Sequence, residues 1–276
     1  MNYKIVADSA ANIYSSADFP FAYASLKVQC EGQEFIDNAA QSPEPMIELL
    51  RHTKERSFTS CPNMQEWLEA FGEAEEIYAV AITAGLSGSY SAAEQAKAEY
   101  LEAHPQAKVH IINSLSAGPE MALMVERLAA LKRSGCSFEE TVQEMEAYTK
   151  KTQLAFCLKS LNNLARNGRV SLAKAKLVGT LGIRIVGRAS EEGTLQQQSL
   201  CRGEPKALQG ILAEMISNGF QGGKVRIHHC RNEQVAQTLK TLLLGHAPTA
   251  EIEIAPCGVL CSFYAEEGGI LIGYET

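Results

Sequence analysis

The chain has 276 residues, 46% hydrophobic and 21% charged, an ordinary globular composition with length enough for two domains. Lys and Arg number 25 against 32 Asp and Glu, and the net charge of −7 with no basic run argues against nucleic acid or an anionic membrane coat as partner. The start, Met1-Asn2-Tyr3-Lys4-Ile5-Val6-Ala7-Asp8-Ser9, lacks a secretory signal's apolar region and cleavage site, and no apolar stretch approaches the ~18 residues of a membrane span, so a cytoplasmic protein is expected.

Tyr3 to Ala7 is a short apolar run ending at Asp8-Ser9, as in a buried strand followed by a turn, and Ala22 to Val28 reads as a second strand. Ser42-Pro43-Glu44 opens a helix, with Ser42 as N-cap and Pro43 at its first position. After the polar turn from Ser57 to Asn63, Met64, Trp67, Leu68 and Phe71 mark another helix, closed by Gly72. Ile77 to Ile82 reads as a strand that runs through Thr83-Ala84-Gly85-Leu86-Ser87-Gly88-Ser89 into a helix from Tyr90 to Leu101. Val109 to Ile112 is another strand, with Asn113-Ser114 and a long helix behind it. Strands alternating with helices predict an N-terminal α/β domain, a parallel sheet covered on both faces.

Ser137-Phe138-Glu139-Glu140 is a capping box opening a helix to about Lys151. Beyond it, strands are expected at Leu154 to Leu158, Ile183 to Val186, Gln196 to Cys201, Lys224 to His229 and Glu251 to Ala255. Helices are expected at Leu161 to Arg166, Pro205 to Ser217 and Glu233 to Leu244. Val259 to Tyr264 and Gly269 to Tyr274 read as a hairpin across Glu266-Glu267-Gly268. This half predicts a C-terminal α/β domain with a mixed sheet, dividing the chain at 1–152 and 153–276.

The eight cysteines show no Cys-x-x-Cys pair, and His228-His229-Cys230 falls in a strand, whose neighbours alternate faces; reduced, mostly buried thiols and no metal are expected. The stretch from Thr83 to Ser89 carries more chemistry. Ligands of open α/β sheets bind where βα turns converge, and a helix N-terminus there offers N–H groups and partial positive charge. Gly85 and Gly88 admit a ligand to the backbone, and Ser87 and Ser89 add hydroxyls, so a carboxylate or phosphate can be gripped without Lys or Arg. Helix capping by Ser87 explains the same residues equally well. Thr59-Ser60-Cys61-Pro62 is a second hydroxyl cluster before a helix, and Asp8-Ser9 and Asn113-Ser114 end two further strands. Arg169 and Arg202 face either the cleft or solvent. The segment lacks the lysine of a P-loop and the final glycine of a nucleophile elbow.

Together these pieces resemble the DegV family of fatty-acid-binding proteins over the whole chain. Asp8-Ser9-Ala10 resembles its Asp-Ser-Thr/Ala opening, and Thr59-Ser60-Cys61-Pro62 its Thr-Ser-Gln-Pro-Ser turn. Gly85-Leu86-Ser87-Gly88-Ser89-Tyr90-Ser91-Ala92-Ala93 resembles its Gly-Leu-Ser-Gly-Thr-Tyr-Gln-Ser-Ala segment. Asn167-Gly168-Arg169-Val170 resembles its Gly-Gly-Arg-Ile/Val, and Arg202-Gly203-Glu204-Pro205-Lys206-Ala207 its Arg-Gly-x-Lys-Lys-Ala. The resemblance implies a bacterial, non-catalytic carrier holding a long-chain fatty acid between a headgroup-binding N-terminal domain and an acyl-enclosing C-terminal domain, with no other cofactor. Thr59 (or Ser60) and Ser87 would donate to the carboxylate, with the Gly88 and Ser89 N–H groups beside them, and Asp8, Ser9, Asn113, Arg169 and Phe263 are candidate cleft residues. A separate fatty-acid kinase would phosphorylate the bound carboxylate, meeting the carrier at Arg202; a monomer is expected, and transient membrane contact is left open.

The chain departs from the family pattern where a His-Thr-Gly-Pro-Gly segment is usual. Here Phe263-Tyr264-Ala265-Glu266-Glu267-Gly268-Gly269 stands, placing Phe263 at the His position; Asn113 replaces an Asp and Arg184-Ile185 a Lys-Pro. The alternative function is a serine hydrolase of small esters with Ser87 as nucleophile, for which none of the six histidines is marked as base. A phosphate- or nucleotide-binding domain would need a Lys and acidic metal ligands that no motif supplies.

Overall fold

The computed structural model describes residues 2–53, 55–171 and 182–276. The first half runs β1 (Tyr3–Asp8), β2 (Phe21–Ala24), β3 (Lys27–Cys30), β4 (Gln33–Ile36), α1 (Glu44–His52), β5 (Phe58–Ser60) and α2 (Met64–Phe71). It continues through β6 (Glu76–Ala81), α3 (Ser89–Ala103), β7 (Lys108–Asn113), α4 (Pro119–Arg133) and α5 (Phe138–Tyr148). The second half comprises β8 (Thr152–Leu158), α6 (Asn162–Arg166), β9 (Ile183–Ala189), β10 (Leu195–Arg202) and α7 (Glu204–Ser217), then β11 (Lys224–His229), α8 (Glu233–His246), β12 (Glu251–Pro256), α9 (Val259–Ala265) and β13 (Ile270–Glu275).

Two sheets carry the fold. A parallel sheet has the order β2-β1-β6-β7, and a mixed sheet the order β10-β9-β8-β13-β11-β12, in which β11 and β12 are the parallel pair. Side-chain alternation in the strands assigns the layers. Val6, Ile77 and Ala79 of the parallel sheet pack on Trp67 and Phe71 of α2 and Ala93 and Ala96 of α3. On the opposite face, Ile5, Ala7, Tyr78 and Val80 meet Met121, Met124 and Leu128 of α4. The mixed sheet turns Ala155, Val225, Ile227 and Ile272 towards Leu208 and Ile211 of α7 and Leu239 and Leu243 of α8.

Helix α4 packs against β1 and β6 of one sheet and β8, β11 and β13 of the other. Ten of its side chains are buried, Pro119, Met121, Leu123 and Leu128 among them, as expected of a helix enclosed on all sides. Its polar contacts tie the two sheets together. Glu126 accepts from Arg226 Nε and Nη2 of β11 at 2.6 and 2.7 Å, and the buried Arg226 also reaches Glu251 at 2.7 Å.

Three expectations are corrected. The run from Ala22 to Val28 is two strands in different sheets: the Leu26 N–H bonds the Ser9 hydroxyl at 2.9 Å and the Leu26 carbonyl accepts from Asp37, so the chain turns there. The stretch around Thr59 is strand β5, pairing with β3 in a small antiparallel sheet of order β4-β3-β5. Val259 to Ala265 is a helix, not a hairpin arm; a short apolar run buried on every side carries no period that separates helix from strand. β13 instead lies between β8 and β11, antiparallel to both.

Glu126→Ala leaves the buried Arg226 with only exposed carboxylates of β12 and backbone carbonyls, and is expected to lower unfolding stability by about 2 kcal/mol. The double variant Glu126→Leu/Arg226→Met should recover most of that loss in urea titrations.

Candidate functional site

Between the sheets lies a cavity of about 280 Å³. An apolar cavity of that size, roughly twice one that admits benzene, suits a hydrocarbon better than trapped water. Leu154, Phe156 and Leu158, alternate residues on one face of β8, form one wall with Leu271 of β13. Leu26, Ile82 and Leu260 face them. The polar residues gather where Thr59 and Ser60 of β5 approach Ser87 and Gly88, the turn before α3. Arg169 and Tyr264 join them, so both halves of the chain contribute to the polar end, and Leu26 and Ile82 from the first half line the apolar part.

The mouth is built by long-range hydrogen bonds. Thr59 Oγ1 and Tyr264 Oη bond each other at 2.7 Å. Arg169 donates Nε to the Leu86 carbonyl at 3.0 Å and Nη1 to its neighbour Asn167 at 2.6 Å, with its guanidinium 6.0 Å from the Tyr264 ring centroid. Burial raises the Tyr264 phenol above its ordinary range, against the pull of Thr59 and Arg169, so it stays neutral. Gly193, at the tip of the β9–β10 hairpin, presses on the same turn. A Cβ there would collide with Thr83 Oγ1 and lie 2.8 Å from the Leu115 Cα, and one on Gly85 would lie 3.1 Å from the Glu192 carbonyl oxygen of the hairpin.

Several expected cleft residues stand behind the turns. The Asp8 carboxylate accepts from the Ile82 N–H at 2.8 Å, the Ser89 hydroxyl at 2.7 Å and the Ala10 N–H at 3.2 Å. Ser89 is fully buried on Asp8, and its N–H donates to Ser87 Oγ at 3.2 Å, so Ser89 supports the turn and does not line the cavity. Ser9 accepts the Leu26 N–H, and Asn113 accepts the Ala84 N–H at 3.1 Å; both are structural acceptors. Phe263 is fully buried in the α1–α9 core, and its neighbour Tyr264 is the side chain that reaches Thr59. One residue along a helix turns the side chain by about 100°, which displaces the anticipated position from the cavity wall. Arg202 is exposed at the end of β10, away from the cavity.

The segment carrying Tyr264 is held from the far end of the chain. Asn12 accepts the Gly258 N–H and donates to the Pro256 carbonyl at 2.8 Å. Asp37 Oδ1 accepts the Val259 N–H at 2.7 Å and the Tyr14 hydroxyl at 2.8 Å. Burial pushes the Asp8 carboxyl up to about 7 and Asp37 up to about 6, outweighing the donors around each. No group of residues able to hold a metal ion occurs among the described residues, and no helix among them is long and apolar enough to cross a membrane. None of the histidines lines the cavity, and the cysteines are unbridged.

A carboxyl raised on folding binds its proton more tightly in the folded chain. Stability from Asp8 is therefore fully present below pH ~4 and lost as pH rises through about 7, at up to ~1.4 kcal/mol per pH unit. Asp8→Asn should flatten the fall of the urea midpoint between pH 4.5 and 7; an unchanged slope would assign it to the other buried carboxyls.

The comparisons with known proteins agree with this geometry. The family model for DegV, described as an uncharacterised protein of the DegV family, matches residues 2–276. A DegV domain-containing protein of Streptococcus pneumoniae is 42% identical over 280 residues, covering 100% of this chain and 99% of its own. A DegV family protein from Eubacterium eligens, solved with heptadecanoic acid, superposes with a TM-score of 0.97 at 42% identity, covering 99% of both chains. The Fatty Acid Kinase (Fak) B3 protein of Streptococcus pneumoniae, solved with linoleic acid, gives 0.96 at 42% identity over 100% of this chain and 99% of that one. With its parallel four-stranded sheet, its mixed six-stranded sheet and the family match along its length, this chain belongs to the DegV family.

Proposed function

We propose that the protein binds a long-chain fatty acid, its carboxylate at Thr59, Ser60, Ser87 and Gly88 with Tyr264 and Arg169 alongside, and its tail along Leu154, Phe156 and Leu158. The observation that carries this reading is one mostly apolar cavity, in whose lining Thr59, Tyr264, Arg169 and the Leu86 carbonyl follow one another in contact. Burying about sixteen carbons at ~0.8 kcal/mol per CH₂ gives a gross gain on the order of 10 kcal/mol, reduced by the cost of ordering the chain. Hydroxyl donors then hold an ionised headgroup that would otherwise be strongly disfavoured in an apolar setting. The fatty acids in the two 42%-identical structures support the same reading.

The protein acts as a carrier, not a hydrolase: Ser87 Oγ has the Ser89 N–H as its partner and no histidine beside it. A fatty-acid kinase is the partner this reading gives the protein, supported by the name of the pneumococcal relative, and Arg202, exposed and outside the cavity lining, is the proposed contact.

Mass spectrometry of the denatured protein should release a C16–C18 acid, and delipidated protein should take up oleate. Ser87→Ala and Thr59→Val are each expected to weaken oleate about tenfold, with a smaller effect on oleyl alcohol, since a hydrogen bond to a charged group is worth ~1.5–3 kcal/mol. Arg202→Ala should leave oleate affinity unchanged and slow its phosphorylation by an added fatty-acid kinase with ATP. Absence of both co-purifying lipid and oleate uptake would sink the proposal.

A further inference from the structure

Glu266, which ends α9, holds φ 53° and ψ 171°, a conformation open to glycine and strained for other residues. Its carboxylate compensates locally. Oε1 accepts the Asn163 N–H at 3.0 Å, beside the Asn162 N–H, which bonds the Ser160 hydroxyl at 3.1 Å. Asn163 Nδ2 returns to the Phe263 carbonyl at 2.9 Å. Helix α6 has no side-chain cap from Leu161; Ser160 accepts its first N–H, and a side chain about a hundred residues away accepts the second.

The other end of α6 leads directly to the mouth. Gly168 takes φ 76°, and the Gly168 and Arg169 N–H groups close on the Ala165 and Leu164 carbonyls at 3.1 and 2.8 Å. A five-residue helix has no stability of its own, so its two ends decide where it sits and where Arg169 emerges.

We propose that Glu266 is a positioning residue for the carboxylate end of the cavity: by capping α6 it holds the Arg169 guanidinium between the Leu86 carbonyl and the Tyr264 ring. A residue carrying backbone strain whose buried carboxylate serves α6 is what this role requires. Burial raises the Glu266 carboxyl, while the α6 donors and Arg166 draw it back.

The inference rests on the fatty-acid reading for its affinity arm, so the test has a second arm without ligand. In the full-length, delipidated protein, Glu266→Gly removes strain and cap together. The expected result is an unchanged or higher urea midpoint, with oleate Kd raised about fivefold. Glu266→Gln, which keeps an acceptor oxygen, should restore the wild-type value. In an Arg169→Met background, Glu266→Gly should add nothing. In the ligand-free protein, the Arg169 Nε–H NMR signal should shift and exchange faster in Glu266→Gly and remain in place in Glu266→Gln. An unmoved Arg169 signal in Glu266→Gly overturns the proposal, as does an affinity loss of equal size with and without Arg169. Failure of the wild type to take up oleate, with the Arg169 signal responding as described, sinks the fatty-acid reading and leaves the positioning role standing.

Discussion

A buried helix of seven residues cannot supply acceptors for its own first N–H groups, and α9 meets that constraint with side chains drawn from the opposite end of the chain. Asn12 and Asp37 accept from Gly258 and Val259, across more than two hundred residues of sequence. Each such group left unpaired in the interior would cost about 1–3 kcal/mol, more than a helix this short can offset by its own propensity. Leu260, Cys261 and Tyr264 reach the cavity from α9. The cavity wall therefore depends on the capping interaction before it depends on any apolar contact.

The same economy of acceptors governs the other side of the mouth. Asp8 takes up the Ile82 N–H and the Ser89 hydroxyl, and in doing so fixes the turn that presents Ser87 and Gly88. Carboxyl groups lie behind the turns, where they organise backbone, and hydroxyls lie at the cavity, where they can donate. Hydroxyl donors and the Arg169 guanidinium face the cavity, while Asp8 and Asp37 are occupied elsewhere. Desolvation raises both carboxyls towards neutrality and so lessens the negative charge behind the turns.

Much of the fold is legible along the chain, because β1, β6 and β7 are apolar runs that end in turn residues, and helices α3 and α4 follow the last two. The capping box of Ser137 and Glu140 forms as its spacing predicts. Segment α9 is not legible, since seven apolar residues buried on every side show no periodicity. The hydroxyl clusters are legible as candidates, but their direction is not. Ser87 faces the cavity and Ser89 faces Asp8, two residues apart in one turn, and only the partner at the far end of each bond distinguishes them. Tyr264 escaped notice for the same reason: its partner Thr59 lies 205 positions away. Arg169, undecided between cleft and solvent on sequence, is settled by the carbonyl of Leu86.

The contact between Gly193 and the turn at Thr83 bears on how such a protein can change over generations. The hairpin tip and the turn before α3 belong to different halves, yet a methyl group on Gly193 would collide with Thr83, and one on Gly85 would press on the hairpin backbone. A bulkier residue on either side demands a simultaneous adjustment on the other, so the two loops are expected to drift as a pair. Recombination that exchanged one half of the chain for a relative's would break that match, while the cavity walls of β8 and β13 take no part in it.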